Sequence, residues 1–148
     1  MRAYLRHRGI SNIDLCPMCK KAVETVIHCL FDCPAALPIK NTVFSIFPGL
    51  CSLSTSTVLA LDFQGEQDAD TVAIVLSEGL FMTWLARNDE VFRGKQIKEQ
   101  AQVRLFLHRL RVRIKADHQR LGADSFRTLW LNKPLPVSLN EGRIIFSF

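Results

Sequence analysis

The sequence predicts a mainly α protein: a small Cys/His-rich knuckle segment followed by a helical domain with two long helices. Three observations carry this. Four of the five cysteines (Cys16, Cys19, Cys29 and Cys33) crowd into the first quarter of the 148 residues. Apolar residues then recur at helical spacing through two long stretches. Hydrophobic residues make up 48% of the chain, which is enough for a core. The expected organisation is the Cys/His segment at 1–35 and the helical domain at 36–148, with a basic helix at about 96–121.

The elements follow in order. Residues before the first cysteine are short and basic, with a Gly-Ile turn at Gly9. Residues 38–47 suit a short helix opened by Pro38, because a first-turn proline loses no hydrogen bond; Pro48-Gly49 ends it. Residues 50–67, with Gln64-Gly65-Glu66, read as a loop with about one turn of helix. From about Asp68 to Phe92, Val72, Val75, Leu76, Gly79, Leu80 and Thr83 share one side, with Ile74, Phe81 and Leu85 opposite. A helix apolar on two sides is central in a core, and Gly94 supplies its stop. The second long helix has a seam of Val103, Leu107, Leu110, Ile114 and Leu121, closed by Gly122. Trp84 and Trp130 are expected in the core. A short segment from Phe126 to Leu131 follows, and the last residues from Gly142 form a strand or an unpaired end.

An odd number of cysteines, clustered beside a histidine, argues against a secreted disulfide scaffold. The start, Met1-Arg2-Ala3-Tyr4, has no apolar stretch behind its basic residues and does not read as a secretory signal. No apolar run approaches the roughly 20 residues of a membrane span. These features predict an intracellular protein, nuclear or cytoplasmic, without a membrane partner.

The spacing is C-x2-C-x8-H-x4-C, through Cys16, Cys19, His28 and Cys33. Two residues between thiolates let both sulfurs reach one ion, and zinc takes four such ligands tetrahedrally. Four protein ligands leave no position for a reactive water, so the expected cofactor is one structural Zn2+ that stabilises a segment too short for its own core. Cys29 is a rival ligand to His28. A redox reading of the C-x2-C pair needs a preceding strand, and unligated buried cysteines are the bland alternative.

The run from Leu15 to Pro34 resembles the zinc-binding domain at the C-terminal end of reverse transcriptases of non-LTR (LINE-type) retrotransposons. The matching residues are Cys16, Pro17, Cys19, Glu24, Thr25, His28, Leu30, Phe31, Cys33 and Pro34. The lead-in from Tyr4 to Ile10 is similar to theirs, and Trp84, Arg87, Asn88 and Phe92 resemble a W-x-x-R-N-x-x-x-F stretch downstream. The resemblance implies a C-terminal piece of a retroelement polyprotein, or a gene derived from one. Such a piece would help a reverse transcriptase polypeptide hold template RNA or target DNA. The chain has no Asp-Asp pair to stand for polymerase aspartates. Its acids at Asp68, Asp70, Glu78, Asp89 and Glu90 read as a solvated helix surface, so no enzymatic activity is expected.

The formal charge is +5, with an isoelectric point of about 9.2. On the basic helix Arg104, Arg111 and Lys115 flank one side of the seam, and Arg109, Arg113 and Arg120 the other. With the lead-in residues Arg2, Arg6, His7 and Arg8, they are the candidate contacts to RNA or DNA phosphates. That binding would be of low sequence specificity. The alternatives are a solvated face, or a zinc-stapled protein-interaction module that docks a partner through Leu105 and Val112, which lie opposite the seam.

Overall fold

The computed structural model describes residues 2–9, 14–63 and 68–148; Ile10 and the Gln64-Gly65-Glu66 stretch lie outside these described residues. Short helix α1 (Arg2–His7) leads in, and Gly9 turns the chain with φ +69°. The cysteine segment is an irregular hairpin. Leu15 bridges Val23, and Pro17–Lys20 form the turn, with Lys20 in the left-handed region. The chain becomes helical at Val26 and widens into a π-helical turn over His28–Asp32.

Helix α2 (Leu37–Ile46) carries Pro38 in its first turn, as expected. The stretch after it holds more structure than the expected loop: a 3-10 turn at Pro48–Ser52, then α3 (Thr55–Ala60). The Ser54 hydroxyl caps α3 by accepting the Thr57 N–H at 3.1 Å.

Helix α4 (Ala69–Arg93) is the core helix, and Gly94 ends it in the left-handed conformation. By length and composition alone α4 could cross a bilayer, although its uninterrupted apolar runs are short. Its apolar residues pack inside the protein instead: Val72, Val75, Leu76 and Met82 face α2, α5 (Glu99–Arg120) and α6 (Ala123–Trp130). Gly79 lets α2 approach closely. A Cβ there would lie 3.1 Å from Ile39 Cγ2 and 3.3 Å from Val43 Cγ2. The opposite side of α4 is not core: Ile74 and Leu85 are half-buried, and Phe81 is exposed.

On α5 the buried row is Gln102, Phe106, Leu110, Ile114 and Asp117. The expected seam is therefore rotated. Val103 and Leu107 are only half-buried, because α5 is wedged between α2 and α4 and turns Phe106 inward. Gly122 does not cap α5 in the left-handed conformation; it is extended and leads directly into α6. Trp130 is fully buried as expected, but Trp84 is 43% exposed. Both observations follow from position: Trp130 faces the core from α6, whereas Trp84 lies on the outer side of α4.

The chain ends in a hairpin, β1 (Val137–Asn140) paired antiparallel with β2 (Arg143–Phe146), Val137 opposite Phe146. Glu141 and Gly142 both adopt positive φ, which suits the twist of a two-residue hairpin loop. The tail is thus a strand, the first of the two expected alternatives.

Candidate metal centre and basic surface

Backbone geometry builds the knuckle. The Cys16 N–H donates to the Ala22 carbonyl at 2.8 Å, and the Lys20 N–H returns to the Cys16 carbonyl at 2.8 Å. The Thr25 hydroxyl accepts the His28 N–H at 3.0 Å, which starts the turn that presents the imidazole. The π turn then brings Cys33 to the same point.

The ligand atoms of Cys16, Cys19, His28 and Cys33 all lie within 4.8 Å of one another, close enough to hold one metal ion. The Cys16 and Cys33 sulfurs are 3.8 Å apart, and Cys19 Sγ is 3.3 Å from His28 Nε2. With metal–sulfur bonds of about 2.3 Å, a tetrahedral ion sets S···S edges of about 3.8 Å. The four residues therefore fit the ion that their spacing implies. Among the described residues no other Cys, His, Asp or Glu group is so arranged.

All five cysteines are free thiols. Burial raises the Cys19 pKa, but N–H groups of Lys21 and Ala22 and the His28 ring outweigh it and lower the value to about 6. Burial pushes Cys33 up to about 12 and raises Cys16 as well. A cation bound among them would hold all three as thiolates. The rival Cys29 is outside the cluster. It is buried, and burial reinforced by the Glu24 carboxylate pushes it up to about 12, which makes it an inert packing residue.

Cys16, Met18, Cys33 and Ala36 form a small apolar cluster with Ala86 of α4. The segment is also tied to α4 by an ion pair that residue-by-residue reading did not find. Glu24 is fully buried, and its carboxylate accepts from Arg87 Nε at 2.8 Å and Nη2 at 3.2 Å. It also accepts the Arg2 backbone N–H at 2.6 Å. Burial alone would raise the Glu24 pKa; the Arg87 hydrogen bonds and the Arg2 N–H lower it below the usual carboxylate value.

The candidate phosphate contacts divide into two groups. Arg109 pairs with Glu78, Arg113 and Arg120 both pair with Asp117, and Arg6 pairs with Asp14. Arg104, Arg111 and Lys115 have no ion pair among the described residues. Arg111 lies over the Phe148 ring and Lys115 over Phe146. In the lead-in, Arg8 lies over Tyr4, and Arg2 Nη1 reaches the Leu15 carbonyl at 3.4 Å. No hydrogen bond or ion pair joins these lead-in residues to α5 among the described residues.

Asp117 on α5 is buried and accepts from Arg113, Arg120 and Trp130 Nε1. Of the acids on or beside α4, Asp68 pairs with Lys133, Glu78 with Arg109 and Asp89 with Arg93. Comparisons with protein-family profiles, with curated proteins and with solved structures return no match.

Proposed function

We propose that this chain is a non-enzymatic zinc module that binds the phosphate backbone of RNA or DNA. In this reading Cys16, Cys19, His28 and Cys33 hold one structural Zn2+. Soft thiolates with one imidazole favour zinc over the oxygen-seeking magnesium and calcium. A reducing compartment, nuclear or cytoplasmic, keeps the thiols available.

The observation that carries the nucleic-acid reading is the outer row of α5. Arg104, Arg111 and Lys115 are not neutralised by an acid among the described residues, whereas the opposite row is. Uncompensated cations on a rigid helix suit sequence-independent phosphate contact. Fluorescence anisotropy with labelled RNA across a salt series tests this. Affinity falls linearly on a log–log plot, and each of Arg104→Ala, Arg111→Ala and Lys115→Ala lowers the slope by about 1. Binding that ignores salt and these substitutions would rule the reading out.

The reading extends to origin: the C-terminal part of a retroelement reverse transcriptase, or a gene derived from one, with that polypeptide as a second partner. It rests on the sequence resemblance. Added support comes from Glu24 and Arg87, one from each resembling stretch, which are each other's ion-pair partner. A second reading, a zinc-stapled protein-interaction module, is favoured by Leu105 and Val112, which are 44% and 53% exposed. Salt-insensitive self-association of the chain would select it.

A further inference from the structure

The outer side of α4 carries two large aromatic rings that the core does not use. Phe81 is 39% exposed and Trp84 is 43% exposed. Their centroids are 5.7 Å apart and their planes differ by 26°, so the two rings stack roughly parallel to each other. The Arg109 guanidinium lies 4.6 Å from the Phe81 centroid while bonding Glu78. Aromatic rings exposed in water are costly, and a cation held against one of them gives the patch positive character.

The patch continues on α5. At 100° per residue, Arg109, then Leu105 and Val112, then Lys115, Arg104 and Arg111 follow one another round the exposed arc of that helix. The stacked rings therefore lie on one flank and the uncompensated cations on the other, across a helix about 10–12 Å wide. A folded protein partner would be expected to meet a more uniformly apolar face. Flat rings beside unpaired cations match the two parts of a single-stranded nucleotide chain, base and phosphate.

The geometry points to Phe81 and Trp84 as a base-stacking platform for single-stranded nucleic acid, whose phosphates run over the Arg104–Arg111–Lys115 row of α5. This rests on the nucleic-acid reading above and gives it a substrate class. Stacking is indifferent to base identity but requires unpaired bases, so the site would prefer single strands to duplex.

Tryptophan fluorescence of the wild type, with anisotropy of end-labelled probes to read affinity in every variant, tests this on the full zinc-loaded chain, which has only Trp84 and Trp130. The probes are a short single-stranded oligouridylate and an RNA duplex of equal length. The platform predicts quenching by the single strand. Trp84→Ala then weakens single-strand binding roughly 5- to 150-fold and leaves duplex binding unchanged. Trp84→Phe restores most of the loss, and the buried Trp130 signal reports that each variant is folded. Equal binding of single strand and duplex, unchanged in Trp84→Ala, would overturn the platform and leave phosphate contact standing. No binding of either probe would overturn both. Self-association lost in Trp84→Ala, with no single-strand preference, would assign the face to a protein partner and overturn the platform.

Discussion

Glu24 and Arg87 are 63 residues apart in sequence and form a two-pronged ion pair, with Nε–Oε1 at 2.8 Å and Nη2–Oε2 at 3.2 Å. The pair fastens the cysteine hairpin to the core helix α4. The fork geometry uses both carboxylate oxygens, and the Arg2 N–H occupies a further lone pair. Glu24→Ala leaves the Arg87 guanidinium without its partner at a mostly buried site. We expect a loss of about 3–5 kcal/mol in urea unfolding. The Glu24→Ala/Arg87→Ala double variant loses less than the sum of the two singles, because the second removal relieves the orphaned charge.

The same pair sets an acid limb. Folded Glu24 has a depressed pKa, so it gives up its proton more readily than the unfolded chain, whose glutamates titrate at about 4.3. Its stabilising contribution is complete above that value and is lost as pH falls through the lower, folded value. Unfolding measured between pH of about 6 and about 3 therefore shows wild type more stable than Glu24→Gln at the upper end. The gap narrows as acidification passes below about 4.3. A gap that stays constant through this window would contradict the pairing.

Asp117 supports a second buried node. It accepts from Arg113 at 3.0 Å, from Arg120 at 3.0 Å and from Trp130 Nε1 at 3.2 Å. Asp117→Ala removes three acceptor contacts at once and leaves the indole N–H unsatisfied in the core. The expected cost is about 3–5 kcal/mol, read by chemical denaturation together with a change in Trp130 near-ultraviolet dichroism. Nucleic-acid affinity per folded molecule is retained, because Arg104, Arg111 and Lys115 do not use Asp117.

Cys29 and Cys33 separate packing from ligation. Cys29→Ala keeps the bound metal, because Cys29 Sγ is outside the ligand cluster. Cys33→Ala loses it. Chelation should open the 14–36 segment first. The helical core around Val75, Phe106, Leu110 and Trp130 has its own apolar packing and persists. Hydrogen exchange before and after chelator checks this: rapid exchange is expected in the hairpin, with protection retained in α4 and α5.

The metal cluster was legible in sequence because its information is local: a two-residue knuckle and a histidine five positions before a cysteine. His28 is the ligand expected from the spacing, with Cys29 its rival, and the π turn brings the His28 imidazole into the cluster and leaves Cys29 buried outside it. Helix α4 was legible from its apolar density, and Gly94 from its role as a stop. The buried face of α5 was not. Its row includes Gln102 and Asp117, which hydropathy assigns to water, and apolar residues line its flanks as well. Which row faces inward depends on where α2 and α4 lie. For the same reason the exposure of Trp84 was unreadable. Glu24 and Arg87 were both visible as members of resembling stretches, but only the fold reveals that they meet.

The central claim is that Cys16, Cys19, His28 and Cys33 together hold one zinc ion. Native mass spectrometry of the purified chain, beside its His28→Ala variant, tests it most directly. We predict one zinc per wild-type chain and its loss or marked weakening in the variant. Wild-type protein without zinc, or full zinc retention after His28→Ala, would contradict the site as described.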